Sequence, residues 1–298
     1  MTKPRRWAPQ VRMAAPLIAA VCAVPVGADE TGLAQLRFAY PTLTGAGVKV
    51  AHPEPGSGYT WQVSPTLVGL PASRFVYIDS VGQTIPYSGD NTAQHATVVG
   101  QLFYGASTGF APGVTTIYNY EANYYLNNIV GPRTPLPAGV RVINQSFIIP
   151  NQTTSDREAS ERTYDAYIRS NNYIMVSAAG NSGFVTNAPA TIYNGITVGA
   201  SKPGNPLDAS GVATAIGPAP GNRAKPDLVA PYVGGTSFAA PQVSGAAALL
   251  VQAGNLGHGG TDTNAATDAR TIKVLLMNGA QKPRAIVRPA GIPDYPLD

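Results

Sequence analysis

The residues best placed to do chemistry are a serine, a histidine and a carboxylate in unusually small or stiff surroundings. Ser237 lies in GGTSFAAPQVSGAAALL, residues 234–250. A serine entering an apolar helix is ordinarily an N-cap. Here Gly234 and Gly235 let another backbone approach closely, and Pro241 suits the first helical turn, where a missing N–H costs little. Glu54 lies in GVKVAHPEPG, residues 47–56. Val48, Val50 and Ala51 favour a strand, and Pro53 is expected to end its pairing. That leaves a carboxylate at the carboxyl end of the strand, fixed between Pro53 and Pro55; the ordinary reading is a solvated turn. The chain has three histidines, His52, His95 and His258. His95 opens HATVVGQL, where a helical apolar face begins at Val98 and Val99, whereas His258 sits in the loop-like GNLGHGGTD. Asn181 follows a strand in MVSAAGNSG and reads locally as an Asn-rich turn.

Gly235-Thr236-Ser237-Phe238-Ala239-Ala240-Pro241 resembles the nucleophile motif of the subtilisin-like serine proteases, the peptidase S8 family. The resemblance implies that Ser237 is the nucleophile, and a serine hydroxyl needs a base. His95-Ala96-Thr97-Val98-Val99-Gly100 is similar to the histidine motif of that family. It departs in having Ala96 where glycine is usual and one residue fewer before Gly100. The resemblance makes His95 the base, and it assigns the Asn181 side-chain amide, with the Ser237 N–H, to the oxyanion. GVKVAHPEPG resembles the family strand that ends in the orienting acid, which places Glu54 first in an acid–His–Ser order. Glutamate is a departure, one methylene longer than the usual aspartate, so its backbone must sit further back. Asp79, ending RFVYID, is the rival acid, and Glu54 is preferred. Asp90 reads as a loop cap.

VINQSFIIP, residues 142–150, resembles the family strand that binds substrate backbone by strand addition. It implies substrate contacts at Ser146, Phe147, Ile148 and Gly180. Phe147 and Ile148 stand where glycines are usual and imply a narrowed specificity pocket. KPDLVAP, residues 225–231, resembles the segment before the nucleophile, with the intervening stretch cut to Tyr232-Val233-Gly234. The expected fold is α/β: a subtilisin-like three-layer fold with a mostly parallel central sheet flanked by helices. The implied activity is serine endopeptidase action on a peptide or protein substrate. Glu54, Ala96 and the shortened loops motivate a second reading, a catalytically inactive peptide-binding relative, and an esterase on the same triad is a third. Asp262, Asn264 and Asp268 have loose calcium-like spacing. Asp268 reads better as a helix cap, so no metal or cofactor is expected.

These residues need a scaffold, and the composition provides for one. Of 298 residues 44% are hydrophobic and only 12% charged, which suits a sizeable core rather than general disorder. The formal charge of +4 comes entirely from Lys3, Arg5, Arg6 and Arg12, because no acid precedes Asp29. The remainder is formally neutral, so the basic balance gives no reason to expect a nucleic-acid partner. The basic head, the short apolar run MAAPLIAAVCAVPV and the small residues Val26-Gly27-Ala28 read as a signal peptide over 1–28. Pro16 and Pro25 and the shortness of the run argue against a stable membrane anchor. Residues 29–298 are then a secreted or periplasmic catalytic domain, with no room between Ala28 and Gly47 for a folding pro-domain. Cys22 is the sole cysteine and lies in the leader, so the mature chain has no disulfide and no thiol nucleophile.

Strands are expected at 47–52, 74–79, 114–119, 140–147, 173–178 and 195–200. Helical patterns lie between them. TTSDREASERTYDAYIRS offers a capping box at Ser155 and Glu158, with Ala159, Thr163, Ala166 and Tyr167 on one face. PQVSGAAALLVQAG and DARTIKVLLMNGA are two further helices, the second aligning Ile272, Leu275 and Leu276. Strands alternating with helices imply a parallel sheet covered on both faces, with ligands bound beyond the strands' carboxyl ends.

Overall fold

The computed structural model describes residues 31–92, 94–202 and 212–281. The leader expectation for 1–28, including Cys22, lies outside the described residues. The elements run α1 (Leu33–Ala39), β1 (Lys49–Glu54), α2 (Pro65–Val68), β2 (Phe75–Ile78), β3 (Thr84–Ile85), α3 (His95–Tyr104), β4 (Thr116–Glu121) and α4 (Ala122–Tyr124). A π-helical stretch, Tyr125–Val130, continues α4. Then come β5 (Val140–Gln145), α5 (Thr154–Asn171), β6 (Ile174–Ala178), β7 (Ile196–Ser201), β8 (Leu228–Pro231), α6 (Thr236–Asn255), α7 (Thr263–Ala266) and α8 (Ala269–Gly279).

Among the described residues, eight strands form one sheet in the order β3-β2-β4-β1-β5-β6-β7-β8. Every pairing is parallel except β2 with β3. The six expected strands are all present; only the short β3 and β8 were not foreseen. After β1 the chain builds towards β3, then returns across β1 to continue with β5. The strand order therefore reverses between β1 and β5, where an open parallel sheet leaves a crevice at its carboxyl edge.

Two apolar layers cover the sheet. Val50, Ile117, Val142, Val176 and Val198 pack on one face against Phe103 and Tyr104 of α3 and Ala239–Val251 of α6. On the other face Ala51, Ile143 and Met175 meet Tyr164, Tyr167 and Ile168 of α5. Strand alternation puts Val50, His52 and Glu54 on the same side of β1, which is the side that α3 and α6 cover.

Several local expectations are corrected. β1 does not end before Pro53: it pairs with β4 through Glu54, whereas its pairing with β5 stops at Ala51. A proline need only interrupt one ladder, and here the other continues. β5 ends at Gln145, two residues early. The capping box of α5 is Thr153 with Asp156, not Ser155 with Glu158. Its buried face is Glu161, Tyr164, Tyr167 and Ile168, because the large tyrosines turn inward in preference to alanines. In α8 Ile272 is buried, while Leu275 is exposed. Pro241 lies a full turn inside α6, which begins at Thr236. Asp262 and Asp268 are helix caps, accepting the N–H of Ala265 and Arg270. Asp90 caps its loop through the Thr92 N–H.

The closeness of α3 and α6 rests on Gly245. A Cβ there would collide with the Phe110 Cβ and stand 3.0 Å from the Phe103 carbonyl oxygen. Helix propensity favours alanine over glycine by about 1 kcal/mol, but neither obstacle is a flexible chain end, and overpacking costs about 1–3 kcal/mol. A Cβ driven into rigid neighbours belongs in the upper part of that range, about 2–3 kcal/mol, so Gly245→Ala is expected to lower stability by about 1–2 kcal/mol net in denaturant titration. A wild-type midpoint would mean that the helices part freely.

Candidate active site

The crevice between β1 and β5 collects residues from four elements. Glu54 ends β1, fully buried, and its Oε2 is 2.8 Å from Nδ1 of His95, the first residue of α3. Its Oε1 is 3.0 Å from Nε2 of His52, two residues back on the same strand. The solvated-turn reading of Glu54 does not hold, since the carboxylate has no exposure. The rival Asp79 accepts the N–H groups of Val81 and Gln83 and so closes the β2–β3 turn. It lines a separate groove with Glu121, Asn123 and Trp61.

Burial pushes the Glu54 carboxyl up, but the hydrogen bonds from His52 and His95 outweigh it, and the net shift is downward. Burial likewise pushes the His95 ring down, and the bond to Glu54 and its negative charge reverse this, leaving His95 raised. The His95 side chain stays 40% exposed and its ring packs against Phe238, centroids 5.3 Å apart. His95 is thereby brought to the residue following Ser237.

Ser237 sits in the first turn of α6. Its hydroxyl donates to the Ser146 carbonyl at 2.8 Å rather than to His95. The Ser146 hydroxyl in turn donates to the Ser237 carbonyl at 2.7 Å. This return bond has a cause in the sequence. In an α-helix the Ser237 carbonyl would accept the N–H four residues on, and that residue is Pro241, which has none. The Ser146 hydroxyl fills the gap. It also accepts from the buried Asn144 amide, whose oxygen accepts from Ser244 of α6. β5 and α6 are thus stitched together beneath the candidate nucleophile.

Asn181 follows β6. Its Oδ1 accepts the Thr236 N–H at 2.9 Å and the Thr236 hydroxyl at 3.0 Å. This caps the start of α6 and occupies the amide oxygen. Gly235, with φ 127°, brings its backbone so close that a Cβ would meet Asn181 Oδ1 at 3.0 Å. Gly180, also left-handed at φ 101°, donates its N–H to the Thr236 hydroxyl oxygen. Phe147 and Ile148 are half-buried beyond β5. The Ile148 Cδ1 lies 3.7 Å from where a Gly180 Cβ would stand, among Ala179, Val185 and Ala215. His258 is apart from the site, against Tyr40.

The profile of the Subtilase family matches residues 80–292 of this chain. The chain belongs to the subtilase family. It is a serine-type protease, a hydrolase of peptides or proteins. The matched stretch includes His95, Asn181 and Ser237 but begins after β1. Solved structures of similar fold include a cold-adapted subtilisin-like serine proteinase at 21% identity, covering 80% of this chain and 83% of that one, TM-score 0.56. The protease domain of PatA, in a mutant form, is 20% identical over 82% of this chain and 91% of its own, TM-score 0.58. A protease from Pseudoalteromonas arctica is 18% identical over 84% and 88%, TM-score 0.56. These likenesses establish a subtilisin-like fold for the described sheet and helices.

Within this subtilase, sequence reasoning did not assign a place to His52, Tyr104, Thr236 or the Asn144–Ser244 pair. The two-residue spacing of His52 and Glu54 on a strand was the available signal for the first. The others are joined only by tertiary contact.

The raised His95 value carries a direct test. Nuclear magnetic resonance titration of its ring is expected to give a midpoint above the ordinary histidine value of about 6.5. Glu54→Gln removes the negative charge and keeps the burial, so the midpoint is expected to fall. An unmoved midpoint would reject Glu54 as the cause. The linked stability has two limbs. The His95 contribution is complete below the unfolded histidine pKa and is lost as pH rises through the raised value. The Glu54 contribution is present above the unfolded carboxyl pKa and is lost as pH falls through the depressed value.

Proposed function

We propose that this protease is an exported endopeptidase working through Glu54, His95 and Ser237, with Asn181 as an oxyanion donor. The observation that carries the reading is the 2.8 Å bond from a fully buried carboxylate to His95 Nδ1, with the His95 ring set beside the residue after Ser237. With Nδ1–H donated to Glu54, the His95 Nε2 lone pair is free to act as base. Ser237 Oγ turns from the Ser146 carbonyl to His95 as substrate enters; such bonds often form only in the complex. Oγ attacks the peptide carbonyl, its proton passes to Nε2, and Glu54 remains ionised beside the imidazolium. His95 then gives that proton to the departing amine. Water, deprotonated by the same ring, cleaves the acyl ester and restores Ser237.

The negative charge on the carbonyl oxygen needs donors. Asn181 Oδ1 is held by Thr236, which leaves its N–H₂ as the group available for the oxyanion. The Ser237 N–H, in the first turn of a 20-residue helix, has no intrahelical acceptor and adds a second donor at the positive helix end. Ser146–Ile148 and Gly180 flank this point as the substrate-binding segments. Ile148, filling the space beside Gly180, favours small side chains there.

A fluorophosphonate probe is expected to label Ser237 of the wild type and to leave Ser237→Ala unlabelled. Asn181→Ala is expected to lower kcat by about 10²–10³ with a smaller change in KM. Glu54→Gln is expected to slow acylation by about 10²–10⁴, because an amide can offer N–H₂ where an acceptor is needed, while Asp79→Asn stays within a few-fold of wild type. Crippled Asp79→Asn beside a normal Glu54→Gln would transfer the acid role to Asp79.

The export reading is supported by the basic, apolar and small-residue order of residues 1–28. Intact-mass measurement of the exported protein is expected to give a chain beginning at Asp29. Retention of Met13–Val26 would reject cleavage.

A further inference from the structure

The proposed triad accounts for one oxygen of Glu54. The other is held by His52, a buried histidine to which the family likeness gives no role. His52 Nε2 lies 3.0 Å from Glu54 Oε1, and His52 Nδ1 lies 2.7 Å from the hydroxyl of Tyr104, the last residue of α3. None of the three side chains has solvent exposure above a trace. We propose that His52 is a positioning residue: it clamps the second oxygen of Glu54 so that the first stays on His95, and Tyr104 fixes the ring that does so. The inference rests on the triad reading above.

The chemistry of the donors orders the chain. His52 Nε2 faces a carboxylate oxygen, so it carries the proton and donates. In the neutral ring Nδ1 is then an acceptor. Tyr104 fits as its donor, since its hydroxyl has no other hydrogen-bond partner among the described residues. Burial, with the charges of Tyr77 and Glu54, holds the phenol well above its ordinary pKa, so its proton is available. The run is Tyr104 O–H to His52 Nδ1, His52 Nε2–H to Glu54 Oε1, and His95 Nδ1–H to Glu54 Oε2.

The need for a second clamp follows from the glutamate. Its side chain has one more rotatable bond than aspartate, and an extra torsion widens the set of rotamers to be excluded. A carboxylate held by one oxygen can swing, and catalysis is sensitive to shifts of about 1 Å. The backbone between clamp and acid is itself stiff, because Pro53 fixes its φ. His52 and Glu54 lie on one face by strand alternation. The helix closes the arrangement at both ends: His95 begins α3 and Tyr104 finishes it, so β1 and α3 are bonded through two histidines sharing one acid. A merely structural buried histidine would stabilise the fold without affecting the acylation step separately.

The test compares His52→Gln, His52→Leu and Tyr104→Phe in the full chain. Each is measured by fluorophosphonate acylation rate, by kcat and KM on a peptide, and by denaturant midpoint. Glutamine keeps an N–H donor at about the position of Nε2; leucine removes it. His52→Leu is expected to lose about 10–100-fold in acylation rate and kcat with KM nearly unchanged. His52→Gln is expected to recover to within several-fold of wild type. Tyr104→Phe, one hydroxyl smaller, is expected to lose roughly 5-fold, about the worth of one hydrogen bond. The inference is overturned if His52→Leu acylates as wild type does, or if glutamine rescues no better than leucine. Should leucine fail to fold, Tyr104→Phe and His52→Gln decide: a full wild-type kcat in Tyr104→Phe overturns the clamp, and the expected partial loss supports it. A wild type that never labels at Ser237 removes the triad reading and this inference together, whereas a labelling wild type with indifferent variants removes only the clamp.

Discussion

A carboxylate without access to water must be paired, and in this subtilase that requirement organises everything around Glu54. An unpaired buried charge is too expensive to persist. Glu54 meets the requirement with two histidines, one on each oxygen, and the two come from different places: His52 from its own strand and His95 from the start of α3. The bond to His95 therefore joins β1 to α3 and raises the imidazole, and together with the His52 bond it holds the carboxyl down. The site also lies where the strand order reverses, so β5 leaves the carboxyl end of β1 open above Ala51. The acid itself is fully buried, and its partner His95 keeps its ring partly exposed.

The second half of the site depends on α6 rather than on the acid. Its first turn is fixed from both directions. Asn181 caps the Thr236 N–H, and Ser146 bonds the Ser237 carbonyl that Pro241 leaves free. The small residues of this helix have a steric purpose. At Gly245 the neighbouring α3–β4 connection is in contact with the helix backbone, and at Gly235 the Asn181 amide is. Closeness of α3 and α6 is what carries His95 to Phe238 and hence to the turn that holds Ser237. The same packing that builds the core thus sets the spacing between His95 and Ser237.

Much of this was legible in the sequence because the signals are local. The six principal strands are short β-branched runs, and a strand's existence depends on side chains within a few residues. The Ala-rich run after Ser237 specifies a helix that can lie close against a sheet, and the glycines before it mark a tight approach. Glu54, His95, Asn181 and Ser237 drew notice through resemblance to family motifs, since their immediate neighbours alone read as turns and caps. Errors arose where a local rule admitted two answers. Thr153–Asp156 and Ser155–Glu158 are both capping-box spacings, and the register of α5 was decided by the volume of Tyr164 and Tyr167 against the sheet. Pro53 ends pairing on one side only, a distinction that exists only once both neighbours of β1 are known.

By itself, then, the sequence determined an alternating α/β chain with a serine at a close-packed helix start and a stiffly held acid two residues after a histidine. Only the tertiary structure decided which acid meets His95, since Glu54 ends one strand and Asp79 follows another, and both lie well before His95 in the chain. It also decided that His52 faces Tyr104, that Ser146 replaces the bond Pro241 cannot make, and that the Ser237 hydroxyl points to a carbonyl rather than to the imidazole. Each of these is a contact between residues far apart in the chain, and its geometry is fixed by how helices seat on the sheet, which no window of neighbouring residues encodes.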